Sequence, residues 1–218
     1  MSDDRAGDRD ARFRSALQQI IEEFAEAFGT GPLTVDQLTR LSQHYSLLCN
    51  WNRRINLTRI TEPEESARVH YAESLLGRTF IGDSRTLLDI GSGAGFPGLP
   101  LAVTCPALQV TALEVNQKKS LFLKEAKDAL RLSNFSVATA RIEDFRTEDY
   151  DVLVSRALDR SEELLPEVID RMIQGQSTML YTTEPLLEAL TGRLRPSRSV
   201  EILRIPGSDT RIIATLRG

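Results

Sequence analysis

The chain has 218 residues, 41% hydrophobic and 27% charged, with a formal net charge of −4. That composition fits one α/β domain with a modest extension, and the acidic balance argues against a non-specific nucleic-acid binder. No apolar run approaches the roughly 20 residues that span a bilayer, and residues 1–14 mix Asp and Arg without the apolar stretch of a signal peptide.

Two cysteines, Cys49 and Cys105, share no close spacing, which suits a reduced cytosolic protein without a disulfide framework. Charge is uneven along the chain. Residues 191–218 carry six arginines against Glu201 and Asp209, a net +4 that leaves −8 on the rest. Arg53/Arg54 and Lys118/Lys119/Lys124/Lys127/Arg131 form further basic clusters. A clustered basic face on an acidic chain suits a specific nucleic-acid substrate. For any one cluster alone, a solvated helix face is the alternative.

In chain order, residues 1–12 read as a disordered tail and 13–84 as a helical cap. Phe13, Ala16, Leu17, Ile20, Ile21, Phe24, Ala27 and Phe28 recur at helical spacing, and Gly29-Thr30-Gly31-Pro32 ends that helix. Thr34 and Gln37 form a capping box for a second helix, with Leu38, Leu41, Tyr45, Leu48, Cys49, Asn52 and Ile55 facing inward. A third helix starts at Pro63-Glu64-Glu65 and runs to about Gly77. Residues 85–218 alternate instead. Strands are expected at 86–90, 109–114, 135–139, 150–155 and 178–182, with helices near 97–103, 117–130, 161–173 and 185–194 and a short turn at 142–145. Alternation of this kind predicts a doubly wound, mostly parallel, Rossmann-like α/β sheet. Segments 200–205 and 211–216, joined by Pro206-Gly207-Ser208-Asp209, predict an antiparallel hairpin at its edge and bring the strands to seven.

The chemistry concentrates at Asp89-Ile90-Gly91-Ser92-Gly93-Ala94-Gly95-Phe96-Pro97-Gly98, where an apolar strand ends in an acid and turns through glycines into a helix. Gly93 to Gly98 matches the dinucleotide fingerprint G-x-G-x-x-G, a weak signal alone. The apolar run stops at Ile90, so the turn starts at Gly91 and the pattern becomes Asp-x-Gly-x-Gly-x-Gly, the form found in S-adenosylmethionine methyltransferases. An acid such as Asp89 suits a ligand bearing a sulfonium and an ammonium, while loop N–H groups take a carboxylate. Glu114, at the end of the second strand, suits both ribose hydroxyls of a nucleoside and does not choose between S-adenosylmethionine and NAD. Ile142 and Glu143 follow the third strand where an adenine ring would lie. Arg156 follows the fourth, pointing at the crevice or forming a structural ion pair. No Asp/Asn-Pro-Pro-Tyr/Phe tetrapeptide marks adenine amino methylation, and Cys105-Pro106 reads as a buried thiol before a turn. His44 and His70 lack metal-ligand spacing, and His44 reads as a surface or boundary residue.

These segments together resemble one family. Trp51-Asn52-Arg53-Arg54-Ile55-Asn56-Leu57-Thr58 is similar to its WNxxxNLT segment, and Val69-His70-Tyr71-Ala72-Glu73-Ser74 to its RHxxDS segment. Asp89 to Leu101 resembles DxGSGxGxPGxPLA, Lys118 to Leu123 resembles K(K/R)xxFL, and Ser155-Arg156-Ala157 matches SRA. The family is ribosomal RNA small subunit methyltransferase G, also called glucose-inhibited division protein B. The resemblance implies methyl transfer from S-adenosylmethionine to guanine N7 in the 530 loop of bacterial 16S rRNA, free or in the small ribosomal subunit. It implies a cytoplasmic enzyme with no obligate protein partner. It implies a cofactor site at Gly91, Phe96, Ile142, Glu143 and Arg156, to which the loop reading adds Asp89, Gly93, Gly95 and Glu114. Asn52, Asn56, His70, Lys118 and Lys119 are implied on the RNA-facing side, with Ser155, and Phe96 or Arg156 would provide a plane for a splayed RNA base. Three positions depart from the family pattern: Val69 replaces Arg, Glu73 replaces Asp, and Thr182-Thr183 replaces Lys-Gly, removing a cation near the substrate edge.

Overall fold

The computed structural model describes residues 2–28, 31–156, 177–191 and 199–217. Helix α1 (Ser2–Phe28) buries Phe13, Leu17, Ile20, Ile21 and Phe24 along one stripe. The expected tail is instead the opening turns of this helix. Its polar side chains reach a distant segment: Arg9 donates to the Thr61 carbonyl at 3.0 Å, and Arg12 makes two 2.9 Å bonds to the Glu64 carboxylate. Asp10 accepts from Ser42 and from Arg14 Nε. Local composition holds no trace of such partners, so the charged run reads as disorder until the fold supplies them.

Helix α2 (Val35–Asn52) has the capping box read from Thr34 and Gln37, with reciprocal bonds of 3.2 and 2.9 Å. The third helix is not regular. α3 (Pro63–Ser66) passes into a π-helical stretch, Ala67–Ala72, then into α4 (Glu73–Leu76), and α5 (Arg78–Ile81) follows. Such wide turns are rare and concentrate at functional sites.

The sheet comprises β1 (Thr86–Ile90), β2 (Gln109–Leu113), β3 (Phe135–Ala138), β4 (Val152–Ser155), β5 (Ser177–Thr183), β6 (Ser199–Arg204) and β7 (Arg211–Arg217), in the order β3-β2-β1-β4-β5-β7-β6. β1 to β5 run parallel, and β7 is antiparallel to both β5 and β6. Burial decides which hairpin strand lies inside. Ile212 to Leu216 of β7 are all buried, whereas Val200 and Ile202 of β6 are exposed, as an edge strand tolerates. Helices α6 (Gly98–Thr104), α7 (Gln117–Ala129) and α8 (Glu184–Thr191) connect strands, with a 3₁₀ turn at Ile142–Asp144. The helix expected at 161–173, the end of the one at 185–194 and Ala157 of the SRA segment lie outside the described residues.

Side chains alternate across each strand. Leu87 joins the large core shared with α1, α2, the π-helical stretch and α6, while Leu88 and Ile90 join the opposite core, closed by Leu187 of α8. Asp89 shares the face of Leu87 and so points under the helical cap. Among the described residues, no helix is long and apolar enough to cross a membrane, and no group of three His, Cys, Asp or Glu side chains forms a metal cluster.

Candidate active site

Parallel register brings the carboxyl ends of β1, β2, β3 and β4 side by side, since Ile90 pairs with Leu113 and Leu113 with Ala138. The glycine loop, Glu114, Ile142, Glu143 and Arg156 therefore line one edge, where open α/β sheets hold ligands. Gly91 and Ser92 donate their N–H groups to the Leu113 carbonyl, at 2.9 and 3.1 Å, which seats the loop on β2. Gly93 has φ +59°, a region that side chains rarely adopt. Gly98 is a packing glycine: a Cβ there would lie 2.7 Å from Asp89 Oδ2.

Asp89 is fully buried. Its Oδ2 accepts from Ser92 Oγ at 2.6 Å and from Gly98 N–H at 3.0 Å. Its Oδ1 is buried without a partner. Burial pushes this carboxyl up to about 6, against the pull of the Ser92 and Gly98 donors. A buried carboxylate oxygen without a partner is costly unless a donor or cation arrives. Glu114 is folded onto the same loop, with Oε2 accepting from Gly93 N–H at 2.9 Å and Oε1 from Asn116 N–H at 2.8 Å. Each oxygen keeps a second lone pair for a hydroxyl. Ile142 is 7% exposed, and Glu143 is paired with Arg141 at 3.1 Å.

Two expected planes for a base are not offered. Phe96 is 7% exposed, with His70 stacked on it at 4.7 Å and His44 and Tyr71 at its edges. Arg156 has its guanidinium bound into the cap. Nη1 donates to the His70 carbonyl at 3.2 Å and Ser74 Oγ at 3.1 Å, while Nη2 donates to the Val69 carbonyl and to Glu73 Oε2 at 3.0 Å. Of its two sequence readings, the structural ion pair is the one formed. Burial holds its pKa down, and Glu73 pulls it up. Ser155, placed on the RNA side by the resemblance, is 2% exposed and donates to the Ile90 carbonyl at 2.9 Å. It fastens β4 to β1 and presents no surface to a macromolecule.

The other residues expected on the RNA side lie on three segments: the end of α2 and its following loop, the π-helical stretch, and the first turn of α7. Asn52 closes the loop after α2, accepting from Leu57 and Thr58 N–H groups at 2.8 and 3.0 Å and donating to the Thr58 carbonyl at 2.9 Å. Thr58 Oγ1 lies 2.8 Å from His70 Nε2, so one run of contacts leads from that loop through His70 to Phe96. Asn56 and Lys118 are exposed, and Lys119 is half-buried in the first turn of α7. Trp51 packs on Phe122 of α7, bringing the α2 loop beside those lysines.

Several residues escaped sequence reading. His44, expected near the surface, is fully buried: Nδ1 meets Tyr71 OH at 2.8 Å, and Nε2 faces the Ala94 backbone of the glycine loop without a hydrogen bond. Burial drives its pKa down to about 3. Its position at a/d-type spacing with Leu41, Tyr45 and Leu48 was the available signal. Tyr181 of β5 donates to the Ser74 carbonyl at 2.8 Å. The cation that Thr182-Thr183 lacks has a counterpart on the adjacent antiparallel strand β7. Arg211, register partner of Thr183, lies 2.8 Å from Glu73 Oε1.

A family model described as rRNA small subunit methyltransferase G matches residues 37–191. A ribosomal RNA small subunit methyltransferase G of Dichelobacter nodosus is 40% identical over 144 residues, covering 66% of this chain and 68% of that one. Another, of Methylobacillus flagellatus, is 32% identical over 197 residues, covering 88% and 94%. The solved structure of TrmN from Thermus thermophilus superposes with a TM-score of 0.50 at 20% identity, covering 66% of this chain and 48% of that one, a likeness of fold.

Proposed function

The chain belongs to the rRNA small subunit methyltransferase G family, and we propose that it methylates N7 of a guanine in the 530 loop of 16S rRNA, with S-adenosylmethionine as donor. The observation that carries the donor is Asp89. Its unpaired, buried Oδ1 lies beneath a glycine loop at a strand end. That is the chemistry a ligand with ammonium and sulfonium groups satisfies and a pyrophosphate does not. Glu114, with lone pairs left over, suits the ribose hydroxyls; Ile142 and Glu143 suit the adenine. When bound, S-adenosylmethionine supplies an electrophilic methyl group.

Guanine N7 carries an in-plane lone pair and no proton, so no general base has to act before attack. The work left to the chain is binding, orientation and exclusion of water. Asn52, Asn56, His70, Lys118 and Lys119 form the RNA side. Two lysines in the first turn of a helix oppose its dipole, an arrangement that a phosphate at that end relieves. An enzyme with this substrate works in the cytoplasm, on 16S rRNA or the small subunit.

The test is mass spectrometry of 16S rRNA from cells with and without this protein, paired with methyl transfer to small-subunit RNA in vitro. Loss of 7-methylguanosine in the deletion strain is the expected result. An unchanged 7-methylguanosine signal overturns the target, and labelled methyl found only in a small-molecule or protein fraction selects another acceptor.

A further inference from the structure

Two of the buried polar atoms without a hydrogen-bond partner belong to one ion pair: Glu73 Oε1 and Arg211 Nε. Glu73 opens α4 directly after the π-helical stretch and is 1% exposed. One of its oxygens meets Arg156 Nη2 at 3.0 Å, and the other lies 2.8 Å from Arg211 Nη2 as an ion pair without hydrogen-bond alignment. Arg68 adds to the positive field on the carboxyl. Thr183 of β5 sits opposite Arg211 in the antiparallel β5–β7 pairing. Arg156 follows β4 and Arg211 begins the antiparallel β7, so both residues stand at the carboxyl edge of the parallel strands. The Arg211 side chain remains 38% exposed.

A joint that merely fastened cap to sheet would be at least as stable with apolar packing, because burying an ion pair costs desolvation. It would also leave no donors and acceptors open, since a half-satisfied buried network is worse than an apolar one. This cluster does the opposite. One carboxylate faces two close guanidiniums, leaving an excess positive charge and buried polar atoms without hydrogen bonds. Such departures from good packing mark working sites.

We propose that Glu73 is a positioning residue for methyl transfer, holding Arg156 and Arg211 side by side at the sheet edge and acting through them. The proposal rests on the methyltransferase reading above. Through Arg156, Glu73 fixes the π-helical stretch whose His70 backs Phe96 of the glycine loop. Through Arg211, it keeps one half-exposed cation aimed at the mouth, where an RNA phosphate approaches.

The test is a double-mutant cycle on the full chain, with Glu73→Gln, Arg211→Gln and both together. Readouts are kcat and KM for small-subunit RNA, S-adenosylhomocysteine affinity by calorimetry, and the thermal midpoint. Wild-type transfer to the RNA is the control: its absence sinks the methyltransferase reading and leaves the cofactor affinities to judge Glu73. The expected result is at least a tenfold fall in kcat/KM for Glu73→Gln in a folded protein, partial recovery in Glu73→Asp, and a double variant no worse than the weaker single. Folded Glu73→Gln with kcat and KM both within twofold of wild type overturns the proposal, as does strict additivity in the cycle. Should Glu73→Gln not fold, the same cycle run with Glu73→Asp decides by the same additivity criterion.

Discussion

The two ends of the crevice hold their polar groups in different ways. At the glycine loop, carboxylates accept from backbone N–H groups within one short stretch of sequence: Asp89 from Gly98 nine residues on, Glu114 from Asn116 two residues on and from Gly93 21 residues back, with Asp89 Oδ1 left open. In the cap, polar groups are satisfied across long separations. Arg156 reaches Val69 and His70, Arg9 reaches Thr61, and Tyr71 meets His44. The loop is a piece of local chemistry that a short segment specifies. The cap is an assembly, each tie depending on several elements being in place. The first should therefore govern the cofactor and the second the RNA.

The sharpest way to break that division is Asp89→Ala. It removes the acceptor for Ser92 and Gly98 and the one open oxygen, and should lower cofactor affinity about 100-fold or more, on the scale of two or three charged hydrogen bonds. RNA affinity, measured separately by filter binding, should stay within about threefold by the same reasoning of independent sites. Equal loss of both would dissolve the distinction between the two ends.

Next in size is a pH effect on which the two ends pull oppositely. Asp89 titrates near 6 when folded, above its unfolded value of about 3.9. The folded state holds that proton more tightly, so the Asp89 contribution to stability falls as pH rises through this window, by about 3 kcal/mol in all. His44 titrates near 3 when folded, below about 6.5 unfolded. Its contribution is fully present above pH 6.5 and falls as pH drops below that, about 1.4 kcal/mol per unit. Between about pH 4 and 6 the slopes oppose each other. In His44→Leu only the Asp89 slope remains. Relative to wild type, that variant should gain about 3 kcal/mol in urea unfolding between pH 6.5 and 4.5. Parallel stability curves for the two proteins would remove His44 from the account.

Smaller still is Asn52→Ala, which unties three bonds that shape the loop to Thr58. The loop should lose about 1–3 kcal/mol of local order, seen as faster amide exchange at Leu57 and Thr58 and weaker RNA binding with unchanged cofactor affinity. A matching fall in cofactor affinity would mean that the run through His70 to Phe96 transmits it. Least of all is Arg12→Ala. Its bidentate pair with Glu64 is solvent-exposed and screened, so the thermal midpoint should move by no more than about 1–2 °C. A larger drop would show that the opening turns of α1 brace the cap.

The same division explains what could be read without coordinates. β1 appears with its bounds as read, the α2 capping box is as read, and the Asp89–Gly98 loop sits where its glycines put it. These depend on alternation and spacing, which are local. The π-helical stretch was not legible, nor were the partners of buried His44 and of Arg156, which lie 27 to 87 residues away. Arg156 is the instructive case. Its place after β4 predicts the crevice edge correctly, yet the carbonyls it binds come from a turn geometry that no residue pattern announces.

The Arg156 contacts also have a consequence for the order in which the molecule assembles as it is made. Residues through α5 contain both sides of the α1 ties to Thr61 and Glu64, so the cap can form these once about 80 residues have emerged. Its Val69 and His70 carbonyls and the Glu73 carboxylate must wait in water for a side chain 83 to 87 residues later. Synthesis delivers that guanidinium only with the fourth strand, when β1, β2 and β3 are already present to align it. The junction therefore closes late, and it ties completion of the cap to arrival of the strand that finishes the crevice.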